Sequence, residues 1–200
     1  MAIKKNLSSA EFFYKNNNIV KAREICESLL EENKKDLNTI NLLIDINIKI
    51  EKFDRALEYI NKALKINSQN YKLFFKKGIV LFKLNKFEDA LENSNKTINL
   101  NNNFAEAYNL KAVIYENLNN DKEALNNWDK AIKINPKYSE AYFNKANYYK
   151  FNDNYELSLE TQRNLEIKLR NSLSFPDRTR IIHYSLPPPS KDDPRNKDSA

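Results

Sequence analysis

The chain has 200 residues, 30% of them charged, and its 33 basic residues exceed its 27 acidic residues to give a net charge of +6. One cysteine excludes an intramolecular disulfide, and one glycine excludes a glycine-rich phosphate-binding loop. No stretch approaches the roughly 20 apolar residues of a membrane-spanning helix, and the N-terminal segment lacks the apolar run of a signal peptide. We therefore expect a cytoplasmic protein that does not enter the membrane.

Residues 3–36 and 37–70 each predict two amphipathic helices, because apolar residues recur at helical spacing along one face. Ala22 and Ala56 open the second helix of each pair. Cys26 lies on the inner face of the second helix, so we interpret it as a packed structural thiol rather than a reactive one.

Residues 105–138 show the same pattern most clearly. We predict a first helix over 106–118 and a second over 122–134. Asp121 is expected to cap the second helix, and Pro136 to end it. The inner face of the first helix carries Tyr108, Ala112, Tyr115 and Leu118.

A shift of 34 residues superimposes five such units without a gap: 3–36, 37–70, 71–104, 105–138 and 139–172. Small residues recur in the middle of the first helix at Ala10, Gly78, Ala112 and Ala146, with Ile44 as the exception. Small residues also open the second helix at Ala22, Ala56, Ala90, Ala124 and Ser158. Small side chains are needed where two helices cross most closely.

This pattern resembles the tetratricopeptide repeat family. The resemblance covers nearly the whole chain up to about Asn171, and units 71–104 and 105–138 carry it best. It implies an all-α superhelix (solenoid) of five tandem 34-residue helix-turn-helix repeats. It also implies a concave groove, lined by the first helix of each unit, that holds a peptide or helix of a partner protein.

Residues 173–200 differ in composition, because five of the six prolines fall there and no helical period is visible. We predict a flexible tail. The Leu186–Pro189 stretch is interpreted as a spacer, with a polyproline II ligand as the alternative.

The register of the units predicts which side chains line the groove. The candidate binding residues are Lys49, Lys72, Phe75, Lys76, Ile79, Phe82, Lys83, Asn109, Glu116, Phe143 and Asn144.

Two features of this set have two interpretations each. The lysines at 72, 76 and 83 share a helical face, and with Lys49 they would attract an acidic segment; alternatively they only keep the surface soluble. The three phenylalanines would be exposed apolar anchors, or they would pack against the next unit. Because Glu106, Glu116 and Glu140 follow in the later units, a ligand with separate acidic and basic ends would suit the groove.

The sequence offers little for catalysis. The one histidine, His183, falls in the predicted tail, and no group of residues has the spacing of a metal or cofactor site. We therefore predict a non-enzymatic adaptor that needs no cofactor, small-molecule substrate or membrane. The alternative is a nucleic-acid-binding helical repeat, suggested by the sequence pI of about 9.1 but disfavoured by the interspersed acidic residues.

Overall fold

A computed structural model describes residues 6–171, which form ten α-helices. Their bounds are α1 Leu7–Lys15, α2 Ile19–Glu32, α3 Leu37–Lys49, α4 Phe53–Ile66, α5 Tyr71–Lys83, α6 Phe87–Leu100, α7 Ala105–Asn117, α8 Asp121–Ile134, α9 Ser139–Phe151 and α10 Tyr155–Arg170. The all-α prediction is confirmed. The predicted tail, with His183 and the proline stretch, lies outside the described residues.

The helices form a solenoid of five antiparallel pairs. Each odd-numbered helix packs mainly on the even-numbered helix that follows it, and each pair packs on the next. Successive first helices also touch, as α5 touches α7 and α7 touches α9, whereas among the described residues successive second helices make no comparable contact. The array therefore curves with its first helices on the inner side.

One turn, repeated five times, joins the two helices of every pair. Its central residue has φ of 55–60° at Asn17, Glu51, Asn85, Asn119 and Asp153, which stand 34 residues apart. The next N–H donates back to the carbonyl five residues earlier, for instance from Asn120 to Tyr115 at 2.9 Å. This is a Schellman motif, which satisfies the last carbonyls of the first helix.

The residue after the left-handed position starts the second helix. Asn120 accepts a hydrogen bond from the Glu123 N–H at 3.4 Å and is the N-cap of α8, so the prediction that Asp121 is the cap was wrong by one residue. Asp121 is the first helical residue instead, where its charge suits the helix dipole. Leu118 also departs from its prediction: it is the C-cap residue that follows α7, and it is exposed.

Small residues hold the two helices of each pair together. The alanines at 10, 22, 56, 90, 112 and 124 have no accessible surface. At Gly78, an added Cβ would lie 3.2 Å from Leu110 Cδ2 and 3.4 Å from Ser94 Oγ. This close approach of α5 to its neighbours explains why the chain places its one glycine in mid-helix, at a cost of about 1 kcal/mol relative to alanine.

Larger side chains fill the space between pairs. Trp128 is fully buried among alanines and tyrosines, and its ring centroid lies 5.7 Å from that of Tyr148 in the next pair. Cys26 is buried in the first cluster, where burial raises the pKa of its thiol to about 12. This environment fits the structural role predicted for Cys26.

Candidate functional site

The candidate surface is the inner side of the array, built from α3, α5, α7 and α9 and from the loops before α7 and α9. Helical periodicity places side chains three or four residues apart in these helices on that side. The surface has three parts, which differ in charge and burial.

The basic part carries the four predicted lysines. Lys49, Lys72 and Lys83 are exposed. Lys49 Nζ lies 5.0 Å from the centre of the Tyr14 ring, and among residues 6–171 no carboxylate pairs with any of the three. These three charges remain available to a ligand.

Lys76 differs from the other lysines because it is engaged within the protein. Its Nζ lies 2.5 Å from Asp45 Oδ1 and joins α5 to α3. The prediction that it shares a free basic stripe is therefore corrected, since Asp45 on the preceding first helix neutralises it.

The apolar middle is formed by three predicted residues of α5. Phe75, Ile79 and Phe82 are half-buried and pack on a cluster that includes Leu110 and Ile114 of α7. The Phe75 and Phe104 rings meet edge to face at 4.9 Å. Of the two interpretations of the phenylalanines, packing against the next unit applies to Phe75, because Phe104 covers one side of its ring. The Phe82 ring lies 5.8 Å from that of Phe87 in its own unit.

Phe143, the third phenylalanine, is different: 63% of its surface is exposed. It lies in α9, and no sixth helix pair within the described residues covers it. It is the predicted residue that is most available as an apolar anchor.

The polar part joins α7 to α9 through a small network. Asn109 Nδ2 donates to Glu140 Oε1 at 3.3 Å and to Tyr138 Oη at 3.4 Å, while its Oδ1 accepts from Asn144 Nδ2 at 3.0 Å. Tyr138 in turn donates to Glu140 Oε2 at 3.0 Å. Only 4% of Asn109 is exposed, so its amide holds two units together and is not free for a ligand, which corrects the prediction.

Glu116 lies in the last turn of α7, near the start of α8. Burial, and then the negative charge of Asp121, raise the pKa of its carboxyl. With Glu106 and Glu140 it makes this part of the surface acidic, so a cation from a ligand would be favoured there.

The sequence prediction missed Tyr138 and Phe104, which cover the inner surface from the loops before α9 and α7. A signal was present, because the two aromatic residues stand 34 apart and each ends a unit.

Residues 6–171 lack two other features. They contain no group of three His, Cys, Asp or Glu residues placed to hold a metal ion. Across the same range, none of the helices has the length and apolar composition that crossing a membrane requires.

Comparison with known proteins agrees with this architecture. Tetratricopeptide repeat models match residues 41–70, 105–138 and 127–160. The chain is therefore a tetratricopeptide repeat protein, and this class serves as scaffolds for protein–protein interaction. No curated protein sequence is significantly similar to it.

Solved structures share the fold at low sequence identity. A crystal structure of MamA is 17% identical, with a TM-score of 0.68 over 81% of this chain and 95% of MamA. YrrB, described as a tetratricopeptide repeat protein with an unusual peptide-binding site, is 22% identical, with a TM-score of 0.60 over 90% of this chain and 92% of YrrB.

Proposed function

We propose that this protein is a non-enzymatic adaptor that binds an extended peptide or a helix of a partner protein on its inner surface. The observation that carries the proposal is the separation of charge along that surface. Exposed Lys49, Lys72 and Lys83 lie toward one end, and acidic side chains lie toward the other. Such an arrangement favours one direction of a ligand that has an acidic and a basic end.

The apolar middle of the surface is expected to contribute binding energy, which the charged residues alone do not provide. Phe75, Ile79 and Phe82 are half-buried, so each still offers part of its surface to a ligand. Binding energy in protein interfaces concentrates on such central apolar residues, while the charged rim sets orientation and association rate. YrrB shares the fold, and its description as a peptide-binding protein is in keeping with this proposal.

A charge-reversal pair tests the proposal. The Lys72→Glu, Lys83→Glu variant and the wild-type chain are used to capture proteins from a nuclease-treated lysate of the source organism. The matched control is Lys65→Glu, Lys133→Glu, which changes the net charge equally at exposed positions of the second helices α4 and α8. We expect a partner that the control retains and the groove variant loses at least about tenfold.

Two outcomes would contradict the proposal. Equal retention by both variants would move the binding site off the inner surface. Capture of protein from the same lysate without nuclease, but not after nuclease treatment, would favour the nucleic-acid alternative, whose binding falls steeply with salt concentration.

A further inference from the structure

Lys111 is the middle one of three lysines that stand 34 residues apart on the first helices α5, α7 and α9. The other two are engaged within the protein. Lys77 Nζ donates to Asn61 Oδ1 at 2.9 Å, and Lys145 Nζ lies 2.6 Å from Asp129 Oδ1. Within residues 6–171, no carboxylate pairs with Lys111. The repeat therefore leaves one of three equivalent lysines without its partner.

The side chain of Lys111 nevertheless follows the same course as that of Lys145. Lys111 Nζ lies 5.6 Å from the centre of the Tyr115 ring. Lys145 Nζ lies 5.7 Å from the centre of the Tyr149 ring, 34 residues further along the chain. Asn95 on α6 takes the place of the carboxylate that pairs with Lys145, so Lys111 extends toward an uncharged amide.

A second carboxylate is missing from the same unit. In the other four units, the second helix carries a glutamate at one repeat position: Glu24, Glu58, Glu92 and Glu160. The fourth unit has Asn126 there. In the third unit, Glu92 Oε1 lies 2.7 Å from Lys96 Nζ, and the charges of Lys96 and then of Lys77 lower the pKa of its carboxyl. This glutamate therefore serves both lysines of its unit.

The fourth unit keeps the two equivalent lysines, Lys111 and Lys130, without that glutamate. Burial, and then the charge of Lys130, lower the pKa of the Lys111 amine, and the nearby Glu123 carboxylate opposes this only in part. Lys111 is half-buried, whereas Lys130, Asn95 and Asn126 are exposed. Neighbouring charges of one sign are unfavourable when partly buried, so an anion would be stabilised between these side chains.

The four side chains lie away from the inner surface. Lys111 follows the inner residue Asn109 by two positions, which is about 200° around an α-helix. Lys130 and Asn126 belong to the second helix α8, and Asn95 to the second helix α6. Because these residues are on the outer side of the array, an anion there would not occupy the proposed peptide groove.

We infer that Lys111 and Lys130, together with the side-chain amides of Asn95 and Asn126, bind a phosphate group on the outer side of the array. The two ammonium groups supply the opposite charge, and each amide supplies N–H donors. Four donor groups suit a phosphate, which offers three or more acceptor oxygens, better than a carboxylate, which offers two. Free phosphate and a phosphoserine of a partner protein share this chemistry.

Phosphate titration of the full-length chain tests the site, with the NMR signals of asparagine side-chain amides as the readout. We expect the Asn95 and Asn126 signals to shift in a saturable manner with sodium phosphate at neutral pH, but not with sodium chloride at the same ionic strength. The matched control is Asn61, which stands at the position equivalent to Asn95 but already accepts a hydrogen bond from Lys77. Its shift should be at least about fivefold smaller. Equal shifts of Asn61 and Asn95 would mean a general ionic effect and would overturn the inference.

Asn126→Glu supplies the missing carboxylate from within the chain. We expect the variant to fold, because Asn126 is exposed and the other four units carry glutamate at this position. The glutamate should pair with Lys111 and Lys130 and reduce the phosphate-induced shift of Asn95 at least about tenfold. Phosphate should likewise raise the melting temperature of the wild-type chain but not that of the variant. An undiminished shift of Asn95 in the variant would contradict a site built on these lysines.

Two other ligands identify the source of the phosphate and test its chemistry. A short glycine peptide with one phosphoserine that binds at least about fivefold more tightly than inorganic phosphate would assign the site to a phosphorylated partner. The reverse order would assign it to free phosphate. Free glutamate that shifts the Asn95 and Asn126 signals as strongly as phosphate does would overturn the preference for a phosphate group.

Discussion

Single residues in this protein are constrained by backbone geometry at the turns and by volume in the core. The five left-handed turn positions hold three asparagines and one aspartate, whose short polar side chains tolerate a positive φ. The fifth is Glu51, whose longer side chain does not. The left-handed conformation costs a residue such as glutamate about 1–2 kcal/mol. Glu51 is therefore a local source of instability in the second unit.

Replacement of Glu51 by glycine is expected to raise the free energy of unfolding by about 0.5–1 kcal/mol, because glycine adopts this conformation without a steric cost. The control is Asn85→Gly at the equivalent turn, where asparagine already tolerates the conformation and the gain should be smaller. Urea titration followed by circular dichroism measures both. A loss of stability in Glu51→Gly would show that the glutamate makes a contact worth more than the strain.

Trp128 shows that volume matters more than polarity in the core. It is fully buried, and its indole N–H has no acceptor in the part of the chain that the structure describes. We expect Trp128→Phe to change the free energy of unfolding by less than about 1.5 kcal/mol, because the lost volume is offset by removal of an unpaired donor. Trp128→Ala should cost about 3–5 kcal/mol, since it leaves a cavity. Equal losses in the two variants would contradict this account.

At the scale of the helix, the five second helices differ in how they begin. Asn18, Asn120 and Asn154 accept a hydrogen bond from the backbone at the starts of α2, α8 and α10. Lys52 and Lys86 stand at the same place before α4 and α6 and make no side-chain cap. Helices α4 and α6 therefore lack the stabilising N-cap hydrogen bond that the other three second helices have.

Lys86→Asn is expected to stabilise the protein by about 1 kcal/mol, because it supplies the missing N-cap acceptor and removes a positive charge from the positive end of the helix dipole. Lys86→Gln is the control, since it removes the same charge but is a poorer cap. In thermal unfolding, the melting temperature of Lys86→Asn should be higher than that of Lys86→Gln. The reverse order would exclude capping as the cause.

Glu116 makes the stability of the junction between α7 and α8 depend on pH. Burial, and then Asp121, raise its folded-state pKa above the unfolded value. The folded protein then binds more protons than the unfolded chain between the two pKa values, so this contribution to stability is present below the unfolded pKa and is lost as pH rises through the folded pKa.

Glu116→Gln should therefore raise the melting temperature at pH 7 relative to the wild-type chain, and the difference should vanish as pH falls below about 4. Glu88→Gln is the control, because Glu88 is exposed in the first turn of α6, where its charge suits the helix dipole. A difference that did not depend on pH would mean that the glutamine acts through packing instead.

At the scale of the whole molecule, the helix pairs within residues 6–171 pack on their immediate neighbours. Stability should then be distributed along the array, with end units held on one side and central units on both. Exposed apolar residues mark both ends of the described part, with Phe12 and Val20 in the first unit and Phe143 and Tyr155 in the last.

Two equivalent substitutions test this distribution. Ala22 in α2 and Ala90 in α6 stand at the same repeat position and have no accessible surface. Each change to glycine costs about 1 kcal/mol of helix propensity in addition to lost packing. Ala22→Gly should increase amide hydrogen exchange mainly in α1 and α2, whereas Ala90→Gly should affect α5 to α8. Increased exchange throughout the chain in both variants would mean that the array unfolds as one cooperative unit.

The sequence by itself determined the repeat, the helices and most of their limits. Small residues at 34-residue intervals and apolar residues at helical spacing are local signals, because the contacts that require them lie within one helix pair. The same signals predicted which side chains would face the inner surface. Of those residues, Lys49, Lys72, Lys83 and Phe143 are exposed in the structure.

Only the tertiary structure decided which of those side chains are free. Lys76 pairs with Asp45, Asn109 is enclosed by Tyr138, Glu140 and Asn144, and Phe75 is covered by Phe104. Each of these partners is about 30 residues away and is contributed by an adjacent unit or by the loop that leads into it. Helical periodicity states which face a residue lies on, but the approach of one unit to the next depends on how their side chains pack, and that packing exists only in the folded array.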